Sequence, residues 1–152
     1  MSNMFCFQCQ QTAGNKGCVN TGVCGKQPET ARLQDELIGE LIRLATAAHD
    51  AGKHSRLTDR LLMDGLFTTL TNVNFDDEAI RKFTDRVINE RKKLRDEKIP
   101  VVALWDGSND EVSLRSTLLF GLKGMAAYAH QHRHHQIQRC KRCFPHKVRH
   151  KK

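Results

Sequence analysis

Four cysteines within nineteen residues constrain this chain more than any other feature. Cys6, Cys9, Cys18 and Cys24 follow the spacing C-x2-C-x8-C-x5-C, and the next cysteine is more than a hundred residues further along. Several glycines lie among the thiols, and glycine reaches backbone angles that other residues avoid. The pattern predicts that residues 1–27 form a loop that can wrap closely around a ligand held by four sulfur atoms.

Three interpretations of the four thiols follow from their spacing. Structural zinc is usually bound by two close cysteine pairs, and the C-x5-C pair is loose for such a site. An iron–sulfur cluster is larger than one ion and accepts wider ligand spacing, with backbone N–H groups directed at its sulfur atoms. Disulfides require an oxidising compartment. On spacing alone, all three interpretations remain open.

The compartment bears on that choice. The N-terminal residues have neither the basic nor the apolar region of a secretory signal, and no apolar run of eighteen residues is present. We therefore expect a cytoplasmic protein with no membrane-spanning segment and with reduced thiols. In that setting, clustered cysteines indicate a metal site or catalysis more often than disulfides.

The segments after the loop have the periodicity of helices. Pro28 begins a stretch with apolar residues three and four apart, which extends to about Gly52. Further helices are predicted over about 57–70, from Asp76 or Asp77 to near Pro100, and over 112–129, where Leu114, Leu118, Leu122 and Met125 share one face. The run at 99–103 is either a short strand or a buried connection. The predicted fold is an all-α helical bundle preceded by a Cys-rich cluster-binding loop.

Net charge divides the chain into two parts. The formal charge of the 152 residues is +8, with 25 basic and 17 acidic residues. Residues 130–152 contain eight of the basic residues and no acidic ones, so residues 1–129 carry no net charge. We predict an α-helical domain over 1–129 and a basic, His-rich tail over 130–152 that is either disordered or derived from a frameshift.

The tail contains its own group of metal-ligand residue types. Cys140, Cys143, His146 and His150 follow the spacing C-x2-C-x2-H-x3-H. A zinc finger normally separates its two ligand pairs by about a dozen residues, so this spacing is too short for that fold. A small zinc-binding protein that also binds nucleic acid through its basic tail is the alternative function. The zero net charge of residues 1–129 makes nucleic-acid binding the weaker interpretation.

Longer motifs resemble one known family. The segments "MFCFQCQQTA" and "GVCGKQPETARLQDELI" resemble the N-terminus of the hybrid cluster proteins, also called prismane proteins or hydroxylamine reductases. "FTTLTNVNFD" at 67–76 and "SLRSTLLFGLKGMAAYA" at 113–129 are similar to later family segments, in the expected order. The resemblance covers about Met4 to Ala129.

The resemblance implies a cofactor and a reaction. In that family the x2, x8, x5 spacing accompanies a [4Fe–4S] cluster, which implies that Cys6, Cys9, Cys18 and Cys24 are its ligands. The family reduces hydroxylamine to ammonia and water at a second, hybrid iron–sulfur–oxygen cluster, and a redox donor protein supplies the electrons. No residue here matches the hybrid-cluster ligands, so we expect a truncated fragment with no catalytic residues, which transfers electrons at most or is a non-functional remnant. Helix faces that would pack against the missing part are expected to be exposed.

Three further residues are candidates for roles near the cluster. Lys26 could offset the negative charge of a cluster, but a lysine in a loop is normally solvated, and we expect that here. Trp105 and Phe67 could shield a cluster from solvent, but ordinary core packing is the expectation for both.

Overall fold

The computed structural model describes residues 4–9, 17–53, 55–97, 99–100 and 104–143, with side chains up to residue 135. Four helices follow the N-terminal loop: α1 (Pro28–Asp50), α2 (Arg56–Thr68), α3 (Asp77–Leu94) and α4 (Asn109–Cys143). These described segments contain no β-strand. The all-α bundle predicted from the periodicity is therefore confirmed, and α1 packs mainly on α3 while α2 packs mainly on α4.

Local sequence signals determine where the first three helices begin. Pro28 occupies the first turn of α1, where its missing N–H would have no partner in any case. Ser55 caps α2 by accepting a hydrogen bond from the Thr58 N–H at 3.0 Å, and the Thr58 hydroxyl reciprocates. The Asp76 carboxylate caps α3 by accepting from the Ala79 N–H at 3.0 Å.

The main core lies between α1, α2 and α3. It consists of side chains that are almost completely buried: Leu33, Leu37, Leu41, Leu44, Leu61, Ile80 and Val87. The α1 members recur at three and four residues, so one face of that helix forms the centre of the core. A smaller cluster of Met4, Cys18 and Ala31 attaches the N-terminal loop to the start of α1.

Helix α4 differs from the sequence-based expectation in two ways. It continues past Ala129 to Cys143, into the range that was predicted to be a basic, His-rich tail, either disordered or derived from a frameshift. The chain has no glycine or proline between Gly124 and Pro145, so nothing in its sequence interrupts the helix there. The apolar face formed by Leu114, Leu118, Leu122 and Met125 is exposed, and α4 instead buries Leu119, Lys123 and Ala126.

The end of α3 also differs from the sequence-based expectation. α3 ends at Leu94, several residues before the predicted limit near Pro100. Residues 101–103 of the apolar run at 99–103 lie outside the described parts of the structure, as do the tail residues from 144 to 152 and the side chains of Cys140 and Cys143. No helix in the described segments is both long enough and apolar enough to span a membrane.

Candidate metal centre

Backbone hydrogen bonds hold the two halves of the N-terminal loop side by side. The Met4 N–H donates to the Val19 carbonyl at 3.3 Å, and the Cys6 N–H donates to the Cys18 carbonyl at 3.1 Å. These bonds place the first and third cysteines next to each other although they are twelve residues apart in sequence. The Cys18 side chain is 5% exposed and packs against Ala31 of α1.

A tight turn brings the fourth cysteine to the same place. The Gly22 N–H donates to the Lys26 carbonyl at 2.8 Å, and the Gly25 N–H donates to the Gly22 carbonyl at 2.8 Å. Gly25 has a φ of 86°, a left-handed conformation that favours glycine. A Cβ atom at Gly22 would lie 3.1 Å from the Cys24 Sγ, so the absence of a side chain at Gly22 keeps space beside that sulfur.

All four cysteines proposed from the sequence line one small cavity. Cys6, Cys9, Cys18 and Cys24 share it with Gln8, Gly22, Val23, Lys26 and Thr71. All four are thiols rather than disulfides, and the Val23 N–H is directed at the Cys18 Sγ at 3.5 Å. Among the described side chains, no three His, Cys, Asp or Glu groups are arranged to hold a single metal ion. The described side chains thus do not form a site for one metal ion. A larger metal group would fit here because four sulfur donors line the cavity and because Gly22 leaves space beside the Cys24 Sγ.

Two lysines next to the cavity are completely buried. Lys26 is 1% exposed and donates to the Gln34 Oε1 at 2.5 Å, which shows that the expectation of a solvated loop lysine was wrong. Lys123 of α4 is 0% exposed and donates to the Gln8 Oε1 at 2.6 Å and to the Thr69 carbonyl at 3.2 Å. Gln8 thus connects α4 to the segment between Cys6 and Cys9.

Burial changes the proton affinity of several groups in this region. It raises the pKa of the Cys6 thiol, although the positive charge of Lys26 acts in the opposite direction. It raises the pKa of Asp35 to about 6, although a hydrogen bond from the Gln8 Nε2 and the charge of Lys123 favour the carboxylate. Burial and, to a smaller extent, repulsion from Lys26 lower the pKa of Lys123 to about 8.

Aromatic side chains lie beside Cys6 and Cys9. The rings of Phe5 and Phe7 are 4.6 Å apart, and Phe7 stacks on Trp105 with ring centroids 4.3 Å apart. These three rings, Cys6 and Cys9 line a groove that reaches the first turns of α4. Trp105 thus lies beside two of the thiols and outside the main core cluster.

Phe67 lies elsewhere, between α2 and α4. Its ring stacks on His130 with centroids 4.1 Å apart, and the His130 Nδ1 lies 3.1 Å from the Asp64 Oδ1. Arg133 also donates to that carboxylate. Although burial favours the protonated acid, these two hydrogen bonds hold the pKa of Asp64 below its ordinary value. Residues just beyond Ala129 therefore attach α4 to α2.

Gln8, Asp35 and Lys123 were not predicted from the sequence. Lys123 does carry a signal, because it lies four residues after Leu119 and three before Ala126, on the face of α4 that is buried. That face contains a lysine, whereas the exposed face contains four large apolar residues, so hydrophobicity favoured the other side of the helix.

Comparison with known proteins agrees with the resemblance noted above. The family model of the Prismane/CO dehydrogenase family matches residues 4–146, a range that extends past Ala129. The chain is 42% identical to a hydroxylamine reductase of Desulfovibrio desulfuricans, with 85% of this chain and 29% of the relative covered. It is 36% identical to a hydroxylamine reductase of Petrotoga mobilis, with 82% and 30% covered, and 38% identical to one of Nitratidesulfovibrio vulgaris, with 83% and 29% covered. It thus spans less than a third of the length of these relatives. The family match covers most of the chain, and the chain belongs to the Prismane/CO dehydrogenase family.

Proposed function

We propose that this chain is the N-terminal, cluster-binding part of a hydroxylamine reductase. Cys6, Cys9, Cys18 and Cys24 hold a [4Fe–4S] cluster that passes electrons onward. The convergence of the four sulfur atoms on one cavity is the observation that carries the proposal. The names of the relatives support the reaction class.

The surroundings of the thiols suit an iron–sulfur cluster. Four cysteine thiolates are the usual ligand set of a [4Fe–4S] cluster, and N–H groups directed at the sulfur atoms influence its potential. The Val23 N–H is directed at the Cys18 Sγ, and Gly22 leaves space beside the Cys24 Sγ. When bound, the cluster accepts and donates one electron at a time.

The protein residues bind the cluster and limit its contact with water. Cysteine binds a metal as the thiolate, so each thiol would have to lose its proton to hold the cluster. Burial opposes this loss at Cys6, whereas the positive charge of Lys26 favours it. The stacked rings of Phe7 and Trp105 line one groove with Cys6 and Cys9, and the hydrophobic surroundings of a cluster are one of the factors that set its potential.

Reduction of hydroxylamine needs more than these residues. The family resemblance implies that the N–O bond breaks at a hybrid cluster whose ligands have no counterpart in this chain. We expect the isolated chain to accept electrons from a redox donor protein but not to reduce hydroxylamine. Turnover of hydroxylamine by the purified chain would contradict this assignment.

Anaerobic purification followed by metal and sulfide analysis tests the proposal. We expect brown protein with equal amounts of iron and acid-labile sulfide and almost no zinc. Cys9→Ser and Cys24→Ser should lose most of the iron while circular dichroism shows unchanged helix content. Cys140→Ser and Cys143→Ser are matched controls outside the proposed ligand set and should keep it.

Other outcomes would contradict the proposal in distinct ways. One zinc per chain and no colour would indicate the zinc-binding alternative. Protein without iron or zinc, despite co-expressed cluster-assembly proteins, would indicate a remnant that binds no metal.

A further inference from the structure

Two lysines are the largest completely buried side chains in the described structure. Lys26 lines the cavity of the four thiols, and Lys123 reaches the same region from α4. Lysine is almost never fully buried unless a negative charge accompanies it, because an ammonium group loses much hydration energy on burial. The burial of two lysines in one region is therefore energetically unfavourable unless a negative charge lies nearby.

The hydrogen-bond partners of the two ammonium groups are neutral. Lys26 donates to the amide oxygen of Gln34, and Lys123 donates to the amide oxygen of Gln8 and to a backbone carbonyl. Within the described part of the chain, neither ammonium group lies within 4.0 Å of a carboxylate. The Asp35 carboxylate accepts a hydrogen bond from the Gln8 Nε2, and Lys123 donates to the Oε1 of the same side chain. The Gln8 amide thus lies between the carboxylate and the ammonium group.

Charges in this region do not balance when the thiols are protonated. Two buried ammonium groups are accompanied by one carboxyl group, that of Asp35, which is linked to Lys123 through Gln8. Lys26 lines the cavity of the four thiols, and Lys123 donates to Gln8, which lines the same cavity. The excess positive charge is therefore next to the sulfur atoms. Negative charge on those sulfur atoms would restore the balance.

We propose that Lys26 and Lys123 form a buried cationic pair that compensates the negative charge of the thiolate-bound cluster and raises its reduction potential. This inference rests on the proposed function. The four thiolates outnumber the positive charge of the cluster core, so the ligated cluster is an anion, and its reduction adds one more negative charge. A buried cation stabilises the more negative state, and the low dielectric of the interior strengthens that effect.

The two lysines also differ in how they reach the cluster. Lys26 follows Cys24 by two residues and belongs to the same loop. Lys123 belongs to α4 and contacts Gln8, which is 115 residues away in sequence. A second positive charge therefore depends on the docking of α4 against the loop, and the potential of the cluster reports whether that docking is intact.

Redox titration of the cluster-loaded chain, followed by electron paramagnetic resonance of the reduced cluster, tests the proposal. We expect Lys123→Met and Lys26→Met each to lower the equilibrium constant of one-electron reduction at least about tenfold, which is a shift of about 59 mV. Lys123→Arg keeps the charge and should retain most of the wild-type potential. Lys53→Met is the matched control, because Lys53 is exposed and follows the C-terminal end of α1, a 23-residue helix about 35 Å long that begins at Pro28, near the thiols.

Each result of this experiment has a defined meaning. Wild-type protein that binds no cluster overturns both the proposed function and this inference. Loaded Lys26→Met and Lys123→Met with unchanged potentials overturn the inference alone. If Lys123→Met fails to load but Lys123→Arg loads, the requirement is for charge, which supports the inference. If both Lys123 variants fail to load and Lys26→Met has the wild-type potential, the role of Lys123 is packing, and the inference is wrong.

Discussion

Replacement of Asp35 by asparagine should stabilise the cluster-free protein in a way that depends on pH. Burial raises the pKa of Asp35 from 3.8 to about 6 in the folded chain. A folded-state pKa above the unfolded value means that the folded state holds the proton more tightly, so this contribution to stability is present at low pH and is lost as the pH rises through about 6. At 1.36 kcal/mol per pKa unit, ionised Asp35 destabilises the fold by up to about 3 kcal/mol near neutral pH.

Asparagine mimics the protonated acid and can still accept the hydrogen bond from Gln8. The stability gain of Asp35→Asn over wild type should therefore grow with pH, by about 2 kcal/mol between about pH 4.5 and pH 7. Urea unfolding of the reduced, iron-free protein, followed by circular dichroism at several pH values, measures this difference. Glu36→Gln, at the exposed neighbouring position, is the control and should show no comparable trend. A gain that is constant over this pH range would refute the reasoning that burial, opposed by nearby cations, determines the ionisation of Asp35.

Two further predictions concern the packing of the helices. The Arg91 Nε lies 3.4 Å from the Glu40 Oε2, and both side chains are nearly buried. Glu40→Leu should lower the free energy of unfolding, measured in urea, by about 3–5 kcal/mol, because it leaves a buried guanidinium without its carboxylate. Adding Arg91→Leu should recover part of that loss, and a double variant that loses the full sum would contradict the pairing. A Cβ at Gly65 would lie 2.6 Å from a methyl group of the buried Leu41, so Gly65→Ala should lower stability by about 1–3 kcal/mol. Gly121→Ala meets no atom within 4 Å and should be neutral or stabilising, and equal effects at both glycines would refute the steric argument.

The helices were predictable because their signals are local. Pro28, Ser55 and Asp76 act within one turn of the helix that each begins, so neighbouring residues in the sequence contain the relevant information. The limits of α4 were less predictable. Its continuation to Cys143 follows a change in composition that indicated a tail, although no residue in that stretch breaks a helix.

The four candidate ligands were found from sequence for a similar reason. Their spacing and the glycines among them lie within one loop, and the structure brings all four to one cavity. Their assignment to a [4Fe–4S] cluster came from the resemblance, since spacing alone left zinc and disulfides open. The role of the loop as a cluster ligand set remains a prediction for metal analysis to test.

The sequence by itself determined the helical periodicity, the helix starts, the group of four thiols and the family, because each of these is encoded in short segments or in long runs of matching residues. Only the tertiary structure decided which face of α4 is buried and that Lys26 and Lys123 lie beside the thiols. Burial is a property of what packs against a residue, and the partners of Lys123 are Gln8 and Thr69, which are distant in the chain. A lysine is expected in solvent unless the fold encloses it, and here the docking of α4 on the loop provides that enclosure.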